Sequence, residues 1–179
     1  MALDIETAKS GEWDEILKVT LAAYEEYARD SSPEFWSNYQ KSIERTILTD
    51  DSITRIVARE GDKIVGAVLF CSPYEKVMGG ALVKNPFPEM RLLAISPAHR
   101  NRGIGALLID FCEVKARAEG WPTITLHTTV LMQTAKQMYE RRGYERYTDI
   151  DFVPVPGFTV WGYRKDIAVP VARGAGQTV

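Results

Sequence analysis

Cysteine and histidine are scarce in this 179-residue sequence, with two of each, and long apolar runs are absent. The cysteines, Cys71 and Cys112, and the histidines, His99 and His127, do not share a metal-ligand spacing, so we expect free thiols and no metal site. A membrane span would need a run of about 18 apolar residues. The N-terminal residues have neither the basic nor the apolar region of a secretory signal. We therefore expect a cytoplasmic protein that does not bind membranes.

An excess of charge of either sign is also missing. The sequence has 22 Lys and Arg against 24 Asp and Glu, which gives a formal net charge of −2. Nucleic-acid binders usually present a basic stripe, so we expect no nucleic-acid partner. The length predicts one domain, which we place at residues 1–166. The small, glycine-containing segment 167–179 is expected to be a flexible tail.

The hydrophobic pattern changes repeatedly between the two-residue period of strands and the 3.6-residue period of helices. It predicts a strand near residues 2–8, two helices separated at Pro33, and a hairpin that turns at Gly61. Residues 75–88 contain two glycines and two prolines and are predicted to be a loop. A strand near 90–96, a helix, a strand, a short helix and a final hairpin follow. This order predicts an α/β (α+β) domain whose mixed sheet has helices on both faces.

The segment Arg100–Gly105 is the clearest sign of a ligand site. It follows a predicted buried strand and opens a helix, where unpaired backbone N–H groups can bind an anion. Gly103 and Gly105 let the backbone approach a phosphate, and Arg100 and Arg102 add positive charge. The segment matches neither G-x-x-x-x-G-K-S/T nor G-x-G-x-x-G. It predicts either a different kind of pyrophosphate site or a helix start that binds nothing.

Residues 92–108, LLAISPAHRNRGIGALL, resemble the acetyl-CoA site of the GNAT superfamily of acyl-CoA-dependent N-acyltransferases, whose pattern is Q/R-x-x-G-x-G/A. Residues 135–144, AKQMYERRGY, resemble a second family element, although Met132 stands where the family often has asparagine. The resemblance implies a mostly antiparallel, twisted sheet of about seven strands. It also implies that acetyl-CoA is the co-substrate and that its contacts are Leu93, Ala94, Ile95, Arg100, Asn101, Arg102, Gly103, Ile104, Gly105, Ala106, Ala135 and Tyr139.

The same resemblance implies roles in acyl transfer. Tyr139 would protonate the departing thiolate, since a phenol with a pKa of about 10 is protonated at neutral pH. Glu89, at the start of the central strand, is the candidate base, and burial could raise its pKa. An exposed acid without a function, or a water chain in place of a base, is the alternative. Backbone groups near Ala94 and Ile95 would stabilise the oxyanion while an amine attacks the thioester directly.

The acceptor is less well defined by the sequence. Aromatic residues of the first two helices, with Glu25, Glu26 and Asp30, could hold a cationic amine, or could belong to the core and to a solvated helix face. We expect a small-molecule primary amine, because the charge balance gives no sign of a basic peptide substrate. Acetylation of a protein lysine or N-terminus, and a non-catalytic acyl-CoA-binding or sensing module, are the alternatives. The resemblance is also compatible with a homodimer.

Overall fold

This computed structural model describes residues 2–168 of the chain, which contain ten strands and four α-helices. The strands are β1 (Leu3–Thr7), β2 (Thr54–Glu60), β3 (Lys63–Cys71), β4 (Tyr74–Met78), β5 (Ala81–Asn85), β6 (Glu89–Ile95), β7 (Thr123–Thr128), β8 (Glu145–Arg146), β9 (Phe152–Val155) and β10 (Phe158–Asp166). The helices are α1 (Trp13–Tyr24), α2 (Pro33–Thr49), α3 (Ile104–Ala118) and α4 (Gln133–Arg141). Short 3-10 helices occupy Glu25–Asp30, Pro97–His99 and Thr148–Ile150.

Eight of these strands form one sheet in the order β1-β2-β3-β6-β7-β10-β8, with β9 paired to β10. Every pair in it is antiparallel except β6 with β7. The predicted mixed, mostly antiparallel sheet with helices on both faces is therefore confirmed, with eight strands where about seven were expected. None of the helices within residues 2–168 has the length and apolar character needed to cross a membrane.

An apolar core covers each face of the sheet, because the central strands are apolar on both sides. Along β3, Val65 and Val68 pack in the cluster that contains α3, whereas Ile64 and Leu69 pack in the cluster that contains α1 and α2. All four side chains are almost completely buried. Each such burial stabilises the fold by roughly 1.5–3 kcal/mol, so the strands hold the two helical layers firmly in place.

The predicted loop at 75–88 is wrong, because β4 and β5 form a separate antiparallel hairpin. Its turn residues, Gly79 and Gly80, have positive φ angles of 60° and 81°, as a two-residue type I′ turn requires. Val77 and Leu82 face each other across the hairpin and are exposed, so the strands do not show the usual apolar alternation. Glycine was interpreted as a sign of irregular chain, whereas here it makes the turn.

The ladder between the parallel strands β6 and β7 is very short. It consists of two residue pairs, Glu89 with Thr125 and Met90 with Leu126. Beyond them β6 carries one more residue than β3 opposite, and Leu92 there has a left-handed φ of 51°. This is a β-bulge, which bends the strand that contains it. The two strands are therefore unpaired at their C-terminal ends, which leaves a gap in the middle of the sheet.

The end of the described chain contributes to the core. Ile167 is buried, and its N–H group donates a hydrogen bond of 2.8 Å to the carbonyl oxygen of Pro122. Packing thus continues one residue beyond the domain end expected at residue 166. The rest of the expected flexible tail, residues 169–179, lies outside the described residues.

Candidate active site

A cavity of about 140 Å³ opens where β6 and β7 separate, and we call it the main cavity. About 10–15 Å³ is enough for one water molecule, so this space admits a small organic molecule. Its walls come from α1, the 3-10 helix after it, α2 and the final strands, and they include six aromatic residues: Tyr24, Tyr27, Phe35, Tyr39, Phe152 and Phe158. Four polar residues of β6 and β7 also line it: Glu89, Arg91, His127 and Thr128. A mainly apolar cavity with a few polar groups is typical of a small-molecule site.

Glu89 and His127 form a buried ion pair beside this cavity. Nδ1 of His127 lies 2.9 Å from Oε1 of Glu89, and Nε2 lies 2.7 Å from the carbonyl oxygen of Ile150. Both acceptors are oxygens without a hydrogen to give, so both ring nitrogens donate and the imidazole is doubly protonated. Asn85 adds a longer contact of 3.4 Å from Nδ2 to the other Glu89 oxygen. The pair is therefore an imidazolium held between a carboxylate and a carbonyl group.

The environment of Glu89 differs from the one expected. Its side chain is 1% exposed, and burial alone would raise its pKa, but the charge and hydrogen bond of His127 lower that pKa to about 2. The predicted raised pKa is thus wrong, because the sequence did not show the neighbouring cation. Burial lowers the pKa of His127, and Glu89 outweighs this effect, so that the pKa of His127 is raised above its ordinary value.

His127 is the site residue that the sequence interpretation missed. The sequence analysis considered His127 only as a metal ligand and found no histidine or cysteine at a suitable spacing. In the structure Glu89 pairs with Thr125 across the parallel ladder, so His127, two residues further along β7, lies on the same side of the sheet as Glu89. The sequence could have indicated this neighbour of Glu89 through two features: side chains alternate between the two faces along β7, and β7 pairs with β6.

Tyr139, on α4, lines a smaller cavity of about 50 Å³ next to the main cavity. His127 and Met132 line both cavities, and Leu93 and Ala135, two of the predicted acetyl-CoA contacts, line the smaller one. Burial raises the pKa of Tyr139, so its hydroxyl stays protonated at neutral pH. The structure thus brings Tyr139 close to the Glu89–His127 pair, although no hydrogen bond joins these residues directly.

The start of α3 has the form expected of an anion site. Gly103 caps the helix with a φ of 75°, and Asn101 just before it also has a left-handed φ, of 60°. No side chain caps the helix, so the first N–H groups of α3, at Ile104, Gly105 and Ala106, are not occupied by a capping side chain. No atom within residues 2–168 lies within 4 Å of the position that a Cβ on Gly103 would take. A phosphate can therefore approach this backbone closely.

The two arginines of the loop are already paired, in contrast to the free positive charges expected from the sequence. Arg100 donates to Oε2 of Glu26 and to the carbonyl oxygen of Ala23, both at 2.8 Å. Arg102 donates to Oε1 of Glu60 at 2.7 Å. Arg100 therefore ties the loop to the end of α1. Contacts of either arginine with a cofactor remain a prediction, as do those of Ala94 and Ile95 on β6.

The acidic residues expected to hold a cationic amine lie outside the main cavity. Glu25, Glu26 and Asp30 belong to the 3-10 helix after α1 and are exposed, with Glu26 paired to Arg100. None of them lines the main cavity. Tyr24 of α1 and Phe35 and Tyr39 of α2 line it, as expected, whereas Trp13 and Trp36 do not. The cavity is thus aromatic, but the residues that surround it do not make it negative.

Comparisons with known proteins agree with this architecture. A crystal structure of the PaiA N-acetyltransferase of Thermoplasma acidophilum in complex with coenzyme A superposes with a TM-score of 0.69 at 14% identity, covering 93% of this chain and 99% of that one. A GNAT family acetyltransferase of Brucella melitensis in complex with acetyl-CoA superposes with a TM-score of 0.60 at 19% identity, covering 97% of this chain and 94% of that one. The chain therefore has the fold of these acetyltransferases.

Sequence comparison identifies the family itself. Residues 13–144 match the acetyltransferase (GNAT) family. A mouse (Mus musculus) protein described as "Probable N-acetyltransferase family 8 member 5" is 32% identical over 105 residues, which are 54% of this chain and 42% of that protein. The chain belongs to the GNAT acetyltransferase family, as its motifs indicated. The match covers less than half the length of the curated relative.

Proposed function

We propose that this protein is an N-acetyltransferase that moves an acetyl group from acetyl-CoA to a primary amine by direct attack. The observation that carries the proposal is the opening between β6 and β7, where Tyr139, the Glu89–His127 pair and an aromatic cavity meet. The start of α3, which follows β6 in the sequence and which no side chain caps, provides the N–H groups that an anionic coenzyme needs. These are the parts that acyl transfer requires, and they occur together.

In this proposal acetyl-CoA lies along β6 and the start of α3. Its pyrophosphate would bind N–H groups between Asn101 and Ala106, and its thioester would lie beside Leu93, Ala94 and Ile95. Two features support this placement: the open space at Gly103 and the unpaired C-terminal half of β6. The relatives solved with coenzyme A and acetyl-CoA support the choice of ligand.

The transfer itself needs one bond made and one bond broken. The amine nitrogen attacks the acetyl carbon, the C–S bond breaks, and the thiolate takes the proton of the Tyr139 hydroxyl. The proton that the amine loses passes through water and restores that hydroxyl. Backbone N–H groups of β6 that lack a partner on β7 would stabilise the oxyanion between these events. Tyr139 is suited to the acid role because its raised pKa keeps the proton in place until a thiolate forms.

The amine must lose a proton, and the structure favours a route through water. A general base works best when its pKa lies near the working pH, whereas that of Glu89 is lowered to about 2. The positive charges of His127 and Arg91 nearby disfavour an ammonium ion, so they promote binding of the neutral amine. Glu89 would then position these two cations. Its alternative role as the base is tested by a pH profile described below.

A small-molecule acceptor fits the walls of the main cavity better than a protein segment does. Phe35 of α2 packs edge-on against Phe158 of β10, with ring centroids 5.4 Å apart, and this contact joins two sides of the cavity. Met78 of the β4–β5 hairpin lines it as well. An amine carried on an extended peptide would need an open groove in place of these contacts.

The experiment is thiol release from acetyl-CoA with a panel of amines, after calorimetry has measured coenzyme binding. The panel contains amino acids, polyamines, aminoglycosides, aromatic amines and short peptides. Turnover of small amines with little on peptides is expected. Coenzyme binding without turnover of any amine would overturn the proposal in favour of a sensing module. Turnover of peptides alone would point to a protein acceptor.

A further inference from the structure

Arg91 is the charged side chain of the main cavity whose N–H groups have no hydrogen-bond acceptor within residues 2–168. It follows Glu89 by two positions on β6, and its side chain is 30% exposed. Its Nε lies 3.6 Å from Oε1 of Glu89, which is too long for a hydrogen bond, and no other ion pair or hydrogen bond holds its guanidinium within residues 2–168. A guanidinium has five N–H donors in a planar fork, and here they face a cavity.

The charges around Arg91 do not cancel. The carboxylate of Glu89 is engaged by His127 at 2.9 Å, so two cations share one anion. The phenols nearest to the cavity, Tyr24, Tyr27, Tyr39 and Tyr74, are neutral at pH 7 because burial raises the pKa of each. The exposed acids Glu25, Glu26 and Asp30 do not line the cavity. The described residues thus give the main cavity one net positive charge.

One hydroxyl group of the main cavity also lacks a partner within residues 2–168. Thr128 Oγ1 is buried without a hydrogen bond and belongs to a residue that lines the main cavity. Buried polar atoms are nearly always hydrogen-bonded in folded proteins. A guanidinium without a hydrogen-bond acceptor and an unpartnered hydroxyl in the same cavity indicate that a bound anionic group completes the site.

We propose that the acceptor carries a carboxylate close to its amine, and that Arg91 binds this carboxylate in the main cavity. The inference rests on the proposed acetyl transfer and names its substrate class: an α-amino acid with a bulky apolar side chain. Arg–carboxylate pairs are commonly bidentate, which fixes the position of the attached amine. The apolar side chain would lie among Phe35, Phe152, Phe158 and Met78. The products would be the N-acetyl amino acid and free coenzyme A.

A matched series of acceptors tests the carboxylate. The probes are L-phenylalanine, L-phenylalaninamide and 2-phenylethylamine, with rates referred to the fraction of free amine. For the wild-type protein we expect kcat/KM for L-phenylalanine to exceed that for the other two by about 10- to 100-fold, the usual effect of a charge-assisted hydrogen bond. Equal values for the three would overturn the carboxylate proposal and leave acetyl transfer standing. Turnover of none of these probes, nor of any amine of the wider panel, would instead refute the proposed function.

Variants assign the effect to Arg91. Arg91→Met is expected to lower kcat/KM for L-phenylalanine by about 10- to 100-fold more than kcat/KM for 2-phenylethylamine, and so to remove the preference. Arg45→Met, which removes an exposed arginine of α2 outside the cavity, should keep the preference. An equal loss for all three probes would show that Arg91 has only a structural role.

A binding measurement covers the case in which Arg91→Met does not fold. Calorimetry with the wild-type protein would compare N-acetyl-L-phenylalanine with N-acetyl-2-phenylethylamine, which differ by the carboxylate alone. Binding of the first that is about tenfold tighter or more supports the proposal. Equal binding of the two compounds contradicts it.

Discussion

The carboxylate of Glu89 and the imidazole of His127 meet at 2.9 Å across the only parallel strand pair within residues 2–168, with 38 positions of chain between them. Glu89 is almost completely buried, and His127 is nearly so. The free energy lost when two charges are removed from water offsets much of the attraction between them in such a buried ion pair. Removing one partner is far worse, since it leaves the other charge buried alone.

The stability of this pair should depend on pH in a bell-shaped way. The pKa of Glu89 falls from 4.5 to about 2 on folding, so its contribution is complete above about pH 4.5 and disappears as the pH falls toward 2. The pKa of His127 is raised above 6.5, so its contribution is complete below about pH 6.5 and disappears as the pH rises through the raised value. Glu89→Gln should therefore lower the free energy of unfolding most between these limits, by about 3–5 kcal/mol.

Urea unfolding from pH 3 to pH 9 measures this difference. Glu44→Gln, which removes an exposed carboxylate of α2, is the control and should cost less than about 0.5 kcal/mol at every pH. A difference between wild type and Glu89→Gln that does not change with pH would contradict the ionic nature of the pair.

The pH profile of kcat/KM separates two roles of Glu89. If the acceptor amine loses its proton to water, the acidic limb reports the amine, and Glu89→Gln should keep that limb while it lowers the rate by roughly tenfold at all pH values through misplacement of neighbouring groups. If Glu89 is the base, its pKa in the working enzyme must lie within the measured range and not near 2; the limb then belongs to the enzyme and should vanish in the variant. Measurement between pH 5 and pH 10 with one amine decides between these outcomes.

Tyr139→Phe should slow turnover without weakening coenzyme binding. The phenol would act on the leaving thiolate, so its loss should lower kcat by about 10²- to 10⁴-fold, while calorimetry shows a nearly unchanged Kd for coenzyme A. Tyr147→Phe is a matched control, since Tyr147 lies near Phe87, outside both cavities. Wild-type turnover in Tyr139→Phe would exclude the acid role.

The two glycines of the β4–β5 turn provide a matched pair of substitutions. Both have positive φ, so alanine is strained at either position by roughly 1 kcal/mol. At Gly80 the added Cβ meets no atom within 4 Å, whereas at Gly79 it would lie 2.1 Å from the carbonyl oxygen of Val153. Gly79→Ala should therefore be destabilising by at least ~2 kcal/mol more than Gly80→Ala. Equal melting temperatures of the two variants would show that the hairpin does not pack closely on β9.

Local patterns were sufficient for the glycine-containing loop before α3 and for most of the fold. The strand, the loop with its glycines and the helix between 89 and 118 follow one another within the range over which hydrophobic period and turn chemistry act. The partners of the charged groups were outside that range. Arg100 and Glu26 are 74 positions apart, and Arg102 and Glu60 are 42 apart. The positive charge of Arg100 and Arg102 could be recognised in the sequence, but the carboxylates that pair with it could not.

Only two residue pairs join β6 to β7, so the sheet consists of two halves with a short connection between them. One half contains β1, β2, β3 and β6, and the other contains β7, β8, β9 and β10. Thr125 fastens them at one end: its N–H and hydroxyl groups both donate to the carbonyl oxygen of Pro88, and its hydroxyl accepts from Asn85. Beyond Met90 and Leu126 the parallel ladder joins no further residues of the two halves, so we expect the C-terminal ends of β6 and β7 to separate more easily than their starts. Amide hydrogen exchange should follow this division, with slow exchange at Thr125 and faster exchange toward the ends of both strands.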